Sequence, residues 1–389
     1  MPPDVEPGLN SSGQFNESNA NKRGISLNVR SSKGFELLKR LIGSSDVVIE
    51  NFSSRIMQNW GLGYAELEKV RPGIIYVSMC GYGHTGPSHS YTTMGATAQA
   101  ISGLTVLSGL PGKPPAGWGW AYMDEMGGLY MIMGVLSALH HRNLTGEGQH
   151  VDLSQVANGI TLQGAAFLDR TVNRRPSQRE GFPPGNRTVW PGAPKLNNYR
   201  GPIAAPHNAY RTAGGGYNDW CTIACLSDEE WQKLVGVMGN PGWAADIRFS
   251  TIDGRIDNQE ELDRGIEEWT LTLDKYEVMA RCQDVGVRAM PVQDAQDIVE
   301  HDPQLKARDV CTVLDHPLLG KRRFQNAPFR MSKTPPKMHS SAPMIGQHTR
   351  EVMEQVLGLD IEEIREGFED GTFWPTTMPK YPYLEESLR

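Results

Sequence analysis

The order of segments in this chain predicts an α/β fold: a parallel sheet covered by helices, joined to a smaller α+β domain. Three observations carry that prediction. Short β-branched runs alternate with helical segments between residues 25 and 79, the strand–helix–strand order of parallel sheets. A proline-rich stretch, Arg174 to Pro206, then interrupts the apolar periodicity and reads as a linker or an ordered lid. Beyond it, two short alternating runs flank Gly214-Gly215-Gly216 and are followed by helical segments, the texture of a small antiparallel sheet with helices.

The first twenty residues, rich in Asn, Ser, Gly and Pro, read as loop. Ile25 to Val29 alternates like a strand. Ser31 and Ser32 cap a helix over Gly34 to Ile42, and Asp46 to Glu50 is a short buried strand. Ile56 to Val70 has a helical outline that Arg71-Pro72-Gly73 ends, and Ile74 to Met79 is a second buried strand. Helices follow at Thr97 to Leu107 and Met126 to His141, then an extended start at Val151 to Ser154. In the second half, strands are expected at Asn208 to Thr212 and Trp220 to Ala224, and helices at Asp228 to Met238 and Gln259 to Leu271. The small domain ends near Ala327-Pro328, and the tail holds a helix over Thr349 to Leu357 and an acidic amphipathic segment.

Composition excludes several functions. At 389 residues the chain has room for two or three domains, and 39% hydrophobic content supports a real core. A net charge of −7 without a Lys/Arg run argues against nucleic acid as a partner. The longest apolar stretch, Leu129 to Leu139, is too short for a bilayer, and the N-terminus has neither the basic nor the apolar region of a signal peptide. Five scattered cysteines (Cys80, Cys221, Cys225, Cys282, Cys311) read as reduced thiols of a cytoplasmic protein. Neither they nor the histidines have metal-ligand spacing, so no metal is expected.

Asp124 stands out, a carboxylate inside the apolar, glycine-punctuated run W-G-W-A-Y-M-D-E-M-G-G-L-Y. Burying an acid is costly unless it is paired. Two readings are open and compatible: an N-cap for the helix that follows, or a nucleophilic carboxylate held at the positive end of that helix and shielded from water. Glu125 reads as a first-turn acid that suits the helix dipole. Gly81-Tyr82-Gly83-His84-Thr85-Gly86 matches a dinucleotide-binding pattern after a strand. Pro87 follows instead of a helix, and no acid stands about twenty residues on, so the loop reads as a turn or a close backbone approach.

Taken together these segments resemble the family III CoA-transferases, the formyl-CoA transferase and carnitine CoA-transferase group. The matching pieces are N-K-R-G-I-S-L-N (Asn21 to Asn28), D-V-V-I-E-N-F (Asp46 to Phe52), G-L-G-Y (Gly61 to Tyr64), Y-V-S-M-C-G-Y-G-H-T-G-P (Tyr76 to Pro87), Y-M-D-E-M-G-G-L-Y (Tyr122 to Tyr130) and T-G-E-G-Q-H-V-D-L-S (Thr145 to Ser154). Further on, A-P-H-N-A-Y-R-T, L-S-D-E-E-W and R-F-S-T are similar to the branch that includes benzylsuccinate CoA-transferase subunits.

The resemblance implies a Rossmann-like large CoA-binding domain, residues 1–198 plus 329–389, carrying the catalytic aspartate, with a small α+β domain at 199–328. It implies an interlocked dimer, either a homodimer or a heteromer with a related subunit. Asp124 falls on the family's catalytic aspartate, and Leu27, Asn51, Phe52, Asn59, Trp60 and Cys80 on positions that line the CoA site in relatives. Asn59 stands where some relatives have arginine and Cys80 where some have lysine, so two phosphate-facing cations are missing. Gly185 and Asn186 fall where the family keeps a mobile loop over the thioester. Relatives also begin with several dozen further residues that supply part of the nucleotide-binding sheet.

The chemistry implied is movement of CoA from an acyl-CoA donor to a carboxylic acid acceptor, with coenzyme A as substrate and no permanent cofactor. Thioester exchanges for thioester, so neither ATP nor metal is needed. Asp124 would form first a mixed anhydride and then an aspartyl-CoA thioester, with oxyanion donors from the backbone around Gly127 and Gly128 or from the lid. Two alternatives stand beside this. An α-methylacyl-CoA racemase pairs aspartate with histidine, but counting back from Ser102-Gly103 puts Met94 at the histidine's place, and methionine moves no protons. The other is a non-catalytic subunit of a heteromeric transferase.

Overall fold

The computed structural model describes residues 8–107, 114–119, 121–172, 174 and 204–373. The chain divides into two compact units: Met1–Cys80 with Tyr130–Leu153 and Val299–Arg389, and Gly81–Leu129 with Ser154–Ile298.

In the first unit Ser31 caps α1 (Ser32–Gly43) by accepting from the Gly34 N–H at 3.0 Å. β1 (Val47–Glu50) pairs in parallel with β2 (Ile75–Cys80), Val47 opposite Ile75 and Glu50 opposite Ser78, and β3 (His150–Ser154) lies beyond β2. The expected helix over 56–70 is two helices, α2 (Ile56–Asn59) and α3 (Tyr64–Val70), parted around Gly61.

Alternation along β2 sends its side chains to opposite faces. Ile75, Val77 and Met79 pack under Met131, Val135 and Ala138 of the long helix α6 (Tyr122–Thr145), while Ile74 and Tyr76 pack against Ile42, Met57, Leu62 and Leu67. Both faces of β2 are therefore covered, and Ile75 to Met79 are all buried, Ser78 included. Arg142 ties α6 down, donating to the Asp46 carbonyl at 3.1 Å and its carboxylate at 3.2 Å.

Residues 25–29 correct one expectation. They are extended but form no ladder, because their N–H groups go to other partners: Ser26 donates to Thr349 Oγ1 at 3.0 Å and Asn28 to the Thr372 carbonyl at 2.7 Å. Their apolar side chains, Ile25 and Leu27, pack with Leu37 of α1 and with α12 (Thr349–Leu357) and α13 (Ile361–Glu369). A hairpin that periodicity did not reveal, β7 (Cys311–His316) and β8 (Gly320–Gln325), also belongs to this unit.

The second unit opens with α4 (Gly95–Ile101) and α5 (Leu104–Leu107). One helix was expected there; Gly103, at φ +93°, breaks it. The helix α6 (Tyr122–Thr145) starts four residues earlier than expected, and α7 (Gln155–Thr161) follows β3 directly. Further on, β4 (His207–Arg211), β5 (Trp220–Ala224) and β6 (Arg288–Pro291) form an antiparallel sheet, Tyr210 opposite Cys221 and Ile223 opposite Ala289. β6 was not expected, nor was α11 (Lys275–Asp284), whose mean hydropathy is low; α8 (Asp228–Val237) and α10 (Gln259–Thr270) stand close to where they were read. Tyr210, Ile223, Trp231, Leu234, Phe249, Leu262 and Ile266 form the core.

A guanidinium lies inside this core. Arg255, on α9 (Ile252–Asp257), is fully buried and donates to the carbonyls of Ala205 (2.7 Å) and Phe249 (3.0 Å) and to Asp228 (2.9 Å). Desolvation holds its pKa below that of an ordinary arginine, offset in part by Asp228. Replacing it strands two buried carbonyls, whereas Asp228 is half exposed and rehydrates. Arg255→Met is therefore expected to cost about 2–4 kcal/mol in denaturant unfolding followed by tryptophan fluorescence, and Asp228→Asn less than about 1 kcal/mol. Equal losses in the two variants would show that the ion pair, and not the carbonyl bonds, is what matters.

Candidate active site

Asp124 is the third residue of α6 and not its N-cap. Its own N–H and that of Glu125 both donate to the Ala121 carbonyl at 3.0 Å. Met123 is fully buried against Ala98, Leu104 and Val156, which fixes the rotation of this first turn. Asp124 thereby points outward and is exposed in the single chain. It still sits in the turn where the helix dipole favours a negative charge, as does Glu125.

One carboxylate oxygen is held. Gln155 Nε2 donates to Asp124 Oδ1 at 3.0 Å, and Oδ2 has no hydrogen-bond partner among the described residues. Gln155 is buried, and its place is set by the turn from β3 into α7. Ser154 Oγ caps α7 by accepting from the Ala157 N–H at 3.2 Å, and the same hydroxyl donates to the Gly81 carbonyl at 3.0 Å. The Val156 N–H donates to that carbonyl too, at 2.9 Å. Gln155 escaped the sequence reading; the signal available was the capping serine immediately before it.

Gly127 and Gly128 lie inside α6, where amides donate to carbonyls one turn back. In the helix those N–H groups face the carbonyls of Met123 and Asp124. Gly128 has another consequence. It is one turn above Asp124 on the same helix face, and a Cβ there would meet nothing within 4 Å, so the surface beside the carboxylate stays open. Trp118 packs edge-on against Tyr122 at 5.1 Å beside this turn. Two buried amide nitrogens of the same unit, Gln99 Nε2 on α4 and Asn158 Nδ2 on α7, have no acceptor among the described residues. Trp120, Gly185, Asn186 and most of the proline-rich stretch lie outside the described residues.

The other candidates lie in the first unit, most of them at or after the carboxyl ends of β1 and β2. Glu50 ends β1 and is buried, accepting from the Tyr76 hydroxyl at 2.8 Å and the Phe52 N–H at 2.7 Å. Burial and this bond push the Tyr76 hydroxyl well above the usual phenol range. His150 stacks on Tyr76 and bonds Ser78 Oγ at 2.7 Å. This network pins the turn that presents Asn51 and Phe52, both exposed. Phe52 meets Trp60 edge-on at 5.4 Å, forming an exposed aromatic pair. Asn59 is exposed beside it and Cys80 is half-buried, whereas Leu27 packs against the core.

The loop Gly81–Gly86 runs through turns, with Gly83 at φ +82° and Gly86 at +86°, and no helix begins before Gly95. A dinucleotide phosphate site is thus not built here. A cleft of about 420 Å³ lies on β4–β6, lined among others by Thr222, Arg288 and Met290, and contains none of the residues singled out above. Among the described residues, no three His, Cys, Asp or Glu side chains gather as a metal site would require, and no helix is long and apolar enough to cross a membrane.

The fold and these segments define an α/β enzyme of acyl-CoA chemistry. Residues 1–349 match the profile of CoA-transferase family III, and the chain belongs to that family. It is a transferase that moves CoA between acids and uses CoA thioesters as substrates. It is 31% identical over 344 residues (88% of this chain, 80% of the relative) to the succinyl-CoA–D-citramalate CoA-transferase of Chloroflexus aurantiacus. It is 30% identical to the succinyl-CoA–L-malate CoA-transferase beta subunit of the same organism, covering 89% of this chain and 81% of the relative. A CaiB/BaiF family protein from Brucella suis has the same fold, with a TM-score of 0.77 and 28% identity over 89% of this chain and 84% of its own.

None of the five cysteines is in a disulfide. Burial raises the thiols of Cys221, Cys225 and Cys282 to about 12. At pH 8 a thiol of that pKa is about one ten-thousandth thiolate. Alkylation of the native protein at pH 8 is therefore expected to mark Cys80 and to spare these three until denaturant is added. Mass mapping that finds the three labelled in native protein would refute their burial.

Proposed function

We propose that this chain transfers CoA from succinyl-CoA to a small dicarboxylic acid, with Asp124 as the covalent nucleophile. The observation that supports this best is the Asp124 carboxylate itself: one oxygen held by Gln155, the other unengaged, with the open surface of Gly128 beside it. The relatives, whose names pair succinyl-CoA with D-citramalate and L-malate, support the substrate class. The domain partition at 198/199 and 328/329, the CoA contacts of Leu27, Asn51, Phe52, Asn59, Trp60 and Cys80, and a cytoplasmic setting for reduced thiols are part of the same proposal.

In the proposed reaction Oδ2 of Asp124 adds to the thioester carbonyl, the C–S bond breaks, and CoA leaves as thiolate, giving a mixed anhydride. The thiolate then attacks the aspartyl carbon, releasing the donor acid and leaving an aspartyl-CoA thioester. The acceptor carboxylate reverses the sequence. Carboxylates are poor nucleophiles when hydrated, and Asp124 is exposed in the single chain. Its desolvation is left to the bound acyl-CoA and to a second chain.

A second copy of this chain suits the surface of α6. Leu129, Ile132, Met133 and Leu136 are each more than half exposed at spacings i, i+3, i+4 and i+7, an apolar stripe that water disfavours. A related subunit would suit the same stripe, as the relative named a beta subunit suggests.

Because Asp124 is exposed and makes one side-chain bond, Asp124→Ala is expected to leave the melting temperature near wild type. Radiolabelled succinate exchange into succinyl-CoA is expected to fall about 10⁴-fold or more. Substantial remaining exchange removes Asp124 from the mechanism. Leu136→Glu is expected to shift the chain from dimer toward monomer in sedimentation velocity; a variant that sediments as wild type would clear the stripe of that role.

A further inference from the structure

With Asp124 as nucleophile, the geometry points to Gln155 as the hydrogen-bond donor for the oxyanion that forms on the aspartyl group itself. Charge moves to different atoms in the two kinds of step. When Oδ2 attacks the donor thioester, negative charge leaves the aspartyl carboxylate and builds on the substrate's carbonyl oxygen. A donor at Oδ1 stabilises only the starting carboxylate and gives that step no acceleration.

The second addition is different. The CoA thiolate bonds to Cγ of the anhydride, the Cγ–Oδ1 π pair moves onto Oδ1, and that oxygen becomes the oxyanion. On collapse the π bond re-forms, the Cγ–Oδ2 bond breaks, and the donor acid leaves as carboxylate with Oδ2. Acceptor attack on the aspartyl-CoA thioester passes through the same kind of adduct, with thiolate leaving instead. In both, the charge builds on the atom to which Gln155 Nε2 donates from 3.0 Å, inside the 2.7–3.1 Å window for an effective oxyanion donor.

Three features make Gln155 suited to this. It is 6% exposed, so its amide works away from bulk water. It is the first residue of α7, set by the Ser154 cap and by the neighbouring Val156 bond to Gly81, so its donor is preorganised. The other amides near the carboxylate are taken: those of Asp124 and Glu125 by the Ala121 carbonyl, those of Gly127 and Gly128 by the helix ladder.

The test separates the two steps. Wild type, Gln155→Met (similar length, no donor) and Gln155→Glu (same shape, donor replaced by a second acceptor) are each mixed with succinyl-CoA. Succinohydroxamate formed in the presence of hydroxylamine counts the first addition. The CoA adduct on the acid-quenched peptide bearing Asp124 counts the second, and radiolabelled succinate exchange counts the whole cycle. Both variants are expected to form succinohydroxamate within about threefold of wild type, while aspartyl-CoA formation and exchange fall about 10²- to 10³-fold. If hydroxamate and adduct fall together, Gln155 only supports the start of α6 and the inference is overturned; it is equally overturned if neither falls. Wild type that yields neither hydroxamate nor adduct overturns the nucleophile itself, a separate outcome.

Discussion

The Ser154 hydroxyl governs the candidate site. It accepts from Ala157 to begin α7 and donates to the Gly81 carbonyl, so one side chain joins the end of β3, the start of α7 and the loop after β2. That turn fixes where the Gln155 backbone stands, and the side-chain amide meets Oδ1 of Asp124. A bond of this kind contributes only about 1 kcal/mol to stability, but it decides which carboxylate oxygen is presented.

The first turn of α6 shows how a buried neighbour aims an exposed group. Met123 has no exposure and sets the helix rotation; Asp124, one residue on, must then face outward. A glycine one turn later keeps that face bare. The arrangement places an acid where the dipole favours its charge and leaves it exposed to solvent in the single chain. The apolar stripe further along the same helix is consistent with a surface made to be covered.

The two units keep their polar groups differently. In the first, a buried carboxylate, Glu50, is satisfied by one hydroxyl and one backbone amide and so shapes the turn carrying Asn51 and Phe52. In the second, a buried guanidinium, Arg255, is satisfied mainly by carbonyls and so joins loops that share no secondary structure. Each is tolerated because its hydrogen bonds replace the lost hydration.

Local sequence determined the parallel pair β1 and β2, the strands β4 and β5, most helices and the prominence of Asp124, because apolar periodicity, serine caps and an acid among apolar residues are all short-range signals. Tertiary structure decided the rest. Residues 25–29 look like a strand, but long-range partners at Thr349 and Thr372 take their amides and leave no ladder. β6 and β8, R-A-M-P and G-K-R-R-F-Q, carry too little apolar alternation to announce themselves without the strands they pair with. Gln155 meets Asp124 across 31 residues of sequence. That meeting, and the exposure of the carboxylate it holds, depend on how α6 and α7 pack around Met123, which no pattern within either segment encodes.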